Sequence, residues 1–105
     1  MTMSRAEEAA RTMTAEALYQ YGIDSRDGTN GRIKMPTTAI KYLTQAGVKG
    51  YVEAQYELAC MYENGVGCIA DIQDAIDWYA AAASWGHIAA KEALERLKGS
   101  HKWMF

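Results

Sequence analysis

Apolar residues recur at helical spacing in five successive runs along this chain, and glycine-bearing breaks separate them. Ala6, Ala10, Met13, Ala17 and Tyr21 fall on one face of a helix predicted over residues 4–21. Ser4 followed three residues later by Glu7 makes a capping box at its start, and Gly22 marks its end. Residues 22–35 hold three glycines with turn-forming Asp, Ser and Asn, which predicts a long loop. Pro36 suits the first position of a second helix, whose apolar face is Ala39, Ile40, Leu43, Ala46 and Gly47. Gly47 and Gly50 bracket the next turn. A third helix over Val52–Asn64 carries Ala54, Leu58, Met61 and Tyr62, and Gly65 stops it. Asp71 caps a fourth helix with the stripe Ile72, Ala75, Ile76, Tyr79, Ala82 and Ala83, ended by Gly86. A fifth helix, Ile88–Lys98, runs through Ala89, Ala90, Ala93, Leu94 and Leu97, and leaves a tail that exposes Trp103, Met104 and Phe105.

The pattern repeats itself. Ala39, Tyr42, Ala46 and Gly50 stand 36 positions before Ala75, Trp78, Ala82 and Gly86, and the same offset sets Ala54 and Leu58 over Ala90 and Leu94. A period of this length belongs to α/α solenoids, in which each helical hairpin buries its faces only against its neighbours. The expected fold is therefore all-α: about five helices in antiparallel hairpins, forming a short right-handed superhelical stack.

The residues that hold the period resemble the Sel-one-like repeat family, relatives of the tetratricopeptide repeats. The first helix of the family pattern is matched by Ala54, Tyr56, Leu58, Ala59 and Tyr62, and its loop by Gly65, Gly67 and Cys68. Asp71 follows, then Ala75, Trp78, Tyr79, Ala82, Ala83, Gly86 and His87. Ala59 stands where the family has Gly, Cys68 where it has Val, and Met35 where the preceding copy would have its Asp. The match is fullest over residues 51–90 and weakens before residue 36. The resemblance implies a protein-interaction scaffold with no catalytic residues to carry over. About two repeats would fill a single domain, residues 1–105, with the helix at 88–98 as a capping half-repeat.

Composition narrows the setting. Half of the 105 residues are hydrophobic and one is proline, which suits one small helical domain. No apolar run is long enough for a transmembrane helix. The first residues are too charged for a signal peptide, so a cytoplasmic protein is expected, with Cys60 and Cys68 outside any disulfide framework. The net charge of −2 conceals a segregation: residues 51–90 hold six acids and no Lys or Arg. Such a block disfavours nucleic acid as a ligand and favours a protein partner with a basic patch. The one basic loop is 22–35, with Arg26, Arg32 and Lys34.

Chemistry is not what the residues suggest. Cys60, Cys68, His87 and His101 match no zinc spacing, so neither metal nor cofactor is expected. Glu57 and Glu63 flank Cys60 and disfavour its thiolate, which argues against a Cys60–His87 nucleophile pair. Gly65-Val66-Gly67 lacks the Lys and Ser/Thr of a phosphate loop. The expected role is a non-catalytic adaptor or scaffold that takes a protein on its inner, first-helix face. Its contact residues would be Tyr56, Glu57, Cys60, Glu63, Glu92, Glu95 and Arg96, with aromatic burial supplying energy and charge setting register. Two alternatives are a dedicated inhibitor or immunity protein, and a homo-oligomer joined through the stack ends and the Trp103–Phe105 tail.

Overall fold

The computed structural model describes residues 13–102 and places five helices in them: α1 (Ala15–Asp27), α2 (Pro36–Val48), α3 (Val52–Asn64), α4 (Ile72–Ser84) and α5 (Ile88–Lys102). The Ser4–Glu7 capping box and the Trp103–Phe105 tail lie outside the described residues, as do the side chains from Ser100 onward. Each helix packs on the next in chain order, giving the all-α stack of hairpins α1–α2 and α3–α4 with α5 laid on the second.

The first helix differs from its expected bounds at both ends. Thr14 is its N-cap, in extended backbone, and its Oγ1 accepts from the Ala17 amide at 3.1 Å, so the run predicted from residue 4 is interrupted here. At the other end Gly22 does not stop it. Gly22 is buried inside the helix, and a Cβ there would lie 2.8 Å from Leu43 Cγ of α2. The close approach of Leu43 offsets the usual cost of a helical glycine. The helix ends instead at Gly28, which adopts φ 72° and returns its N–H to the Asp24 carbonyl at 2.8 Å. The predicted loop over 22–35 therefore contracts to 28–35. Asp24 and Ser25, read as turn formers, are buried helical residues. The Asp24 carboxylate accepts from Thr29 Oγ1 at 2.7 Å, Asn30 Nδ2 at 3.0 Å and Gln20 Nε2 at 3.1 Å, and so ties the loop to the helix.

The other boundaries follow the expected signals, except that α5 runs on to Lys102, past its expected end at Lys98. Pro36 opens α2, Gly65 (φ 69°) closes α3, and Asp71 Oδ1 accepts from the Asp74 amide at 3.0 Å at the head of α4. Two cores result. Leu18, Ala39, Leu43, Ala46, Ala54, Leu58 and Met61 form the first; Ala59, Ala75, Tyr79, Ala82, Ala90 and Leu97 form the second. Tyr62 and Trp78 touch both, so the hairpins share a seam rather than stand apart. Ile72 and Ala89, expected inside, are exposed. Gln55, not expected inside, is buried and donates from Nε2 to the Gly47 carbonyl at 3.0 Å, holding the end of α2.

Candidate interaction face

The first helices of successive hairpins, α1, α3 and α5, are joined across one face by ion pairs. Arg26 Nη1 of α1 donates to Glu57 Oε2 of α3 at 2.5 Å, and its other nitrogens hold Asp27 at 2.8 and 3.0 Å. Glu63 of α3 receives both ends of the Arg96 guanidinium of α5, at 2.8 and 3.0 Å. This two-point geometry fixes orientation as well as proximity. Arg96, and then the Tyr79 hydroxyl, hold the Glu63 carboxyl below the usual carboxylate range.

Tyr79 reaches this face from α4. Its ring is buried, and its O–H donates to Glu63 Oε1 at 2.8 Å while lying 3.3 Å from Cys60 Sγ. Burial, then its contacts with Cys60 and Glu63, push the phenol far above its usual range, so it stays protonated and serves as a fixed donor. Cys60 also borders a concavity of about 320 Å³ with Arg26, Asp27, Lys34, Met61, Asn64 and Val66.

Aromatic pairs cross between the repeats, each joining a tyrosine of α1 or α3 to the residue just before the next first helix. Tyr56 stacks on the His87 ring at 4.5 Å and 19°, and one repeat earlier Tyr19 lies 5.0 Å from Tyr51. His87 is engaged on both nitrogens: Nδ1 accepts from the Ala90 amide at 3.1 Å, and Nε2 lies 2.7 Å from Glu53 Oε1. The amide assigns the tautomer, because Nδ1 can accept only when the ring proton is on Nε2.

Of the seven residues singled out in the sequence, Tyr56, Cys60, Glu63 and Arg96 join one network through Tyr79, and Glu57 adjoins it through Arg26. Glu92 and Glu95 are exposed on α5 and stand apart from it. Arg26, Tyr79 and His87 were missed. His87 had a signal: it stands 36 positions after Tyr51, at the repeat position that stacks on the neighbouring tyrosine. Glu53, Glu57 and Glu63 each hold an internal partner, so the acidic block presents less free charge here than its composition suggests. Among the described residues no group of three or more His, Cys, Asp or Glu side chains is placed to hold a metal ion.

The family model for the Sel1 repeat matches residues 15–51 and 52–87, the two hairpins with their turns. The chain belongs to the Sel1 repeat family. Chitin synthase regulatory factor 3 of Schizosaccharomyces pombe is 39% identical over 64 residues, 61% of this chain and 7% of that protein. A Sel1 repeat protein from Oxalobacter formigenes has a similar solved structure, with TM-score 0.78 and 26% identity over 89% of this chain and 37% of its own. A protective antigen of uropathogenic Escherichia coli with the same type of fold gives TM-score 0.76 and 26% identity, over 83% of this chain and 18% of its own. The chain thus spans well under half the length of each. Sel1 repeats are in general protein–protein interaction modules. Among the described residues no helix is long and apolar enough to cross a membrane.

Proposed function

We propose that this Sel1 repeat chain is a non-catalytic adaptor that holds a protein partner across the face built by α1, α3 and α5. What supports this most is the pre-set state of that face. Its long side chains are locked in pairs before any partner arrives: Arg26 on Glu57, Arg96 on Glu63, and Tyr56 on His87. Binding to such a surface forfeits little side-chain freedom. Among the described residues, Cys60 is engaged by the Tyr79 hydroxyl and His87 has both nitrogens engaged, which suits neither to act as a nucleophile or base. The exposed carboxylates Glu92 and Glu95 at the edge of the face would select a partner with basic residues. The likeness to a regulatory factor rather than to a catalytic subunit agrees with this role. A cytoplasmic setting would keep Cys60 and Cys68 as the free thiols found here.

Site-specific photocrosslinking in the native host tests the proposal, with the probe at the exposed Glu92 or Glu95 on the face and at the exposed Lys49, just after α2, as control. One protein adduct from the face positions, lost in Tyr56→Ala/Arg96→Glu and absent from the control, is the expected result. Adducts from Lys49 alone would overturn it.

A further inference from the structure

The two hairpins carry equivalent outer edges of opposite charge. A shift of 36 residues sets Ile33, Lys34, Thr38 and Lys41 of the first over Ile69, Ala70, Asp74 and Asp77 of the second. Both isoleucines stand almost bare, 81% and 92% exposed, at the same place in the loops that enter α2 and α4. Lys34 and Lys41 are exposed on the first edge, and Asp71, Asp74 and Asp77 on the second. On the first edge Ile33 borders a cleft with Met35 and Thr38, Lys41 lies three residues beyond Thr38 on the same helix, and Lys34 borders the adjoining concavity. Met35, 48% exposed, and Ile72, 39% exposed, extend the apolar part of each edge.

We infer that this edge is the contact of a homodimer, in which the first hairpin of each copy lies on the second hairpin of the other. A two-fold axis passing between the hairpins brings this about, because it exchanges first and second edges. Ile33 of one copy then covers Ile69 of the other, while Lys34 and Lys41 face Asp71, Asp74 and Asp77. Each contact occurs twice. Laying first edge on first edge would oppose lysines to lysines, so charge selects this arrangement over that one. The inference is separate from the ion-paired partner face: it uses the loops and the second helices α2 and α4, and of its residues Lys34 alone also borders the concavity beside Cys60.

Sedimentation equilibrium of the full chain, at low and at high salt, tests it. A monomer–dimer equilibrium that weakens with salt is expected. Lys34→Asp/Lys41→Asp and Asp74→Lys/Asp77→Lys should each weaken the dimer roughly ten- to hundredfold, since every substitution counts twice across the axis. Combining all four changes in one chain restores charge complementarity and should restore the dimer. Mixing the two doubly substituted proteins should give a heterodimer. Ile33→Ser/Ile69→Ser should favour the monomer with an unchanged far-ultraviolet circular dichroism spectrum. A protein that stays monomeric at millimolar concentration, a dimer indifferent to both charge reversals, or chains that grow beyond two copies would overturn the inference.

Discussion

Gly22 shows how one side-chain position sets the spacing of two helices. With no Cβ it admits Leu43, whose Cγ and Cδ2 lie 2.8 and 2.9 Å from where that carbon would be. Gly22→Ala therefore sets better helix propensity against overpacking, and overpacking wins. A net loss of about 1–3 kcal/mol in urea unfolding is expected. Glu63 makes the corresponding electrostatic case. Its carboxyl ionises more readily in the folded chain than in the unfolded one, so the unfolded chain binds more protons as the pH falls. The Arg96–Glu63 contribution is thus fully present above the ordinary carboxylate value of 4.5 and is lost as pH falls through the lower, folded value. Glu63→Gln should be less stable than the parent at neutral pH. Its stability should also fall less steeply on acidification, as read from Tm at a series of pH values.

At the scale of the element, the two second helices differ at one cap. Asp71 enters α4 with φ −143°, ψ 102° and accepts from the Asp74 amide; Met35 enters α2 with nearly the same backbone, φ −140°, ψ 85°, and no side-chain cap. The backbone of α2 is thus already set for a capping carboxylate. Met35→Asp should stabilise the protein by about 0.5–1 kcal/mol, and Asp71→Ala should destabilise it by about 1 kcal/mol, both measured in urea. Helix lengths are equal in the two hairpins, 13 residues each, but α1 lies 37 residues before α3 whereas α2 lies 36 before α4. The extra residue falls in the loop 28–35. It explains why the 36-residue register fades before Pro36. Shifted by one, Ala17, Tyr19, Gly22 and Gly28 stand over Ala54, Tyr56, Ala59 and Gly65, and Gly22 takes the place of the family glycine that Ala59 lacks.

At the scale of the whole molecule, stability passes from neighbour to neighbour, since among the described residues no helix packs extensively on one more than a step away. The second core holds α5 through Ala90 and Leu97, with Ala93 and Leu94 partly buried. The outer positions of α5 are polar: Glu92 and Glu95 stand 36 residues after Tyr56 and Ala59, which pack in that core. Leu97→Ala should therefore loosen α5 first. Hydrogen exchange is expected to show lost protection in α5 while α1, α2 and α3 keep theirs.

The sequence by itself determined the helices from α2 onward, their order and the period of the stack. The reason is that apolar spacing, Pro36, Gly65 and Asp71 act within a few residues of where they stand. Four of the seven candidate face residues, Tyr56, Cys60, Glu63 and Arg96, were legible for the same reason, as positions off the apolar stripe of α3 and α5 that the structure joins through Tyr79. The tertiary structure alone decided the rest. Gly22 looked like a stop because its value lies in Leu43, 21 residues away in the chain. Arg26 looked like a loop cation until α1 and α3 came together and gave it Glu57. Tyr79 looked like core until the repeat geometry aimed its hydroxyl at Glu63 and Cys60. Local signals choose elements, but charge pairing and close approach depend on residues that only packing brings within a few ångströms of each other.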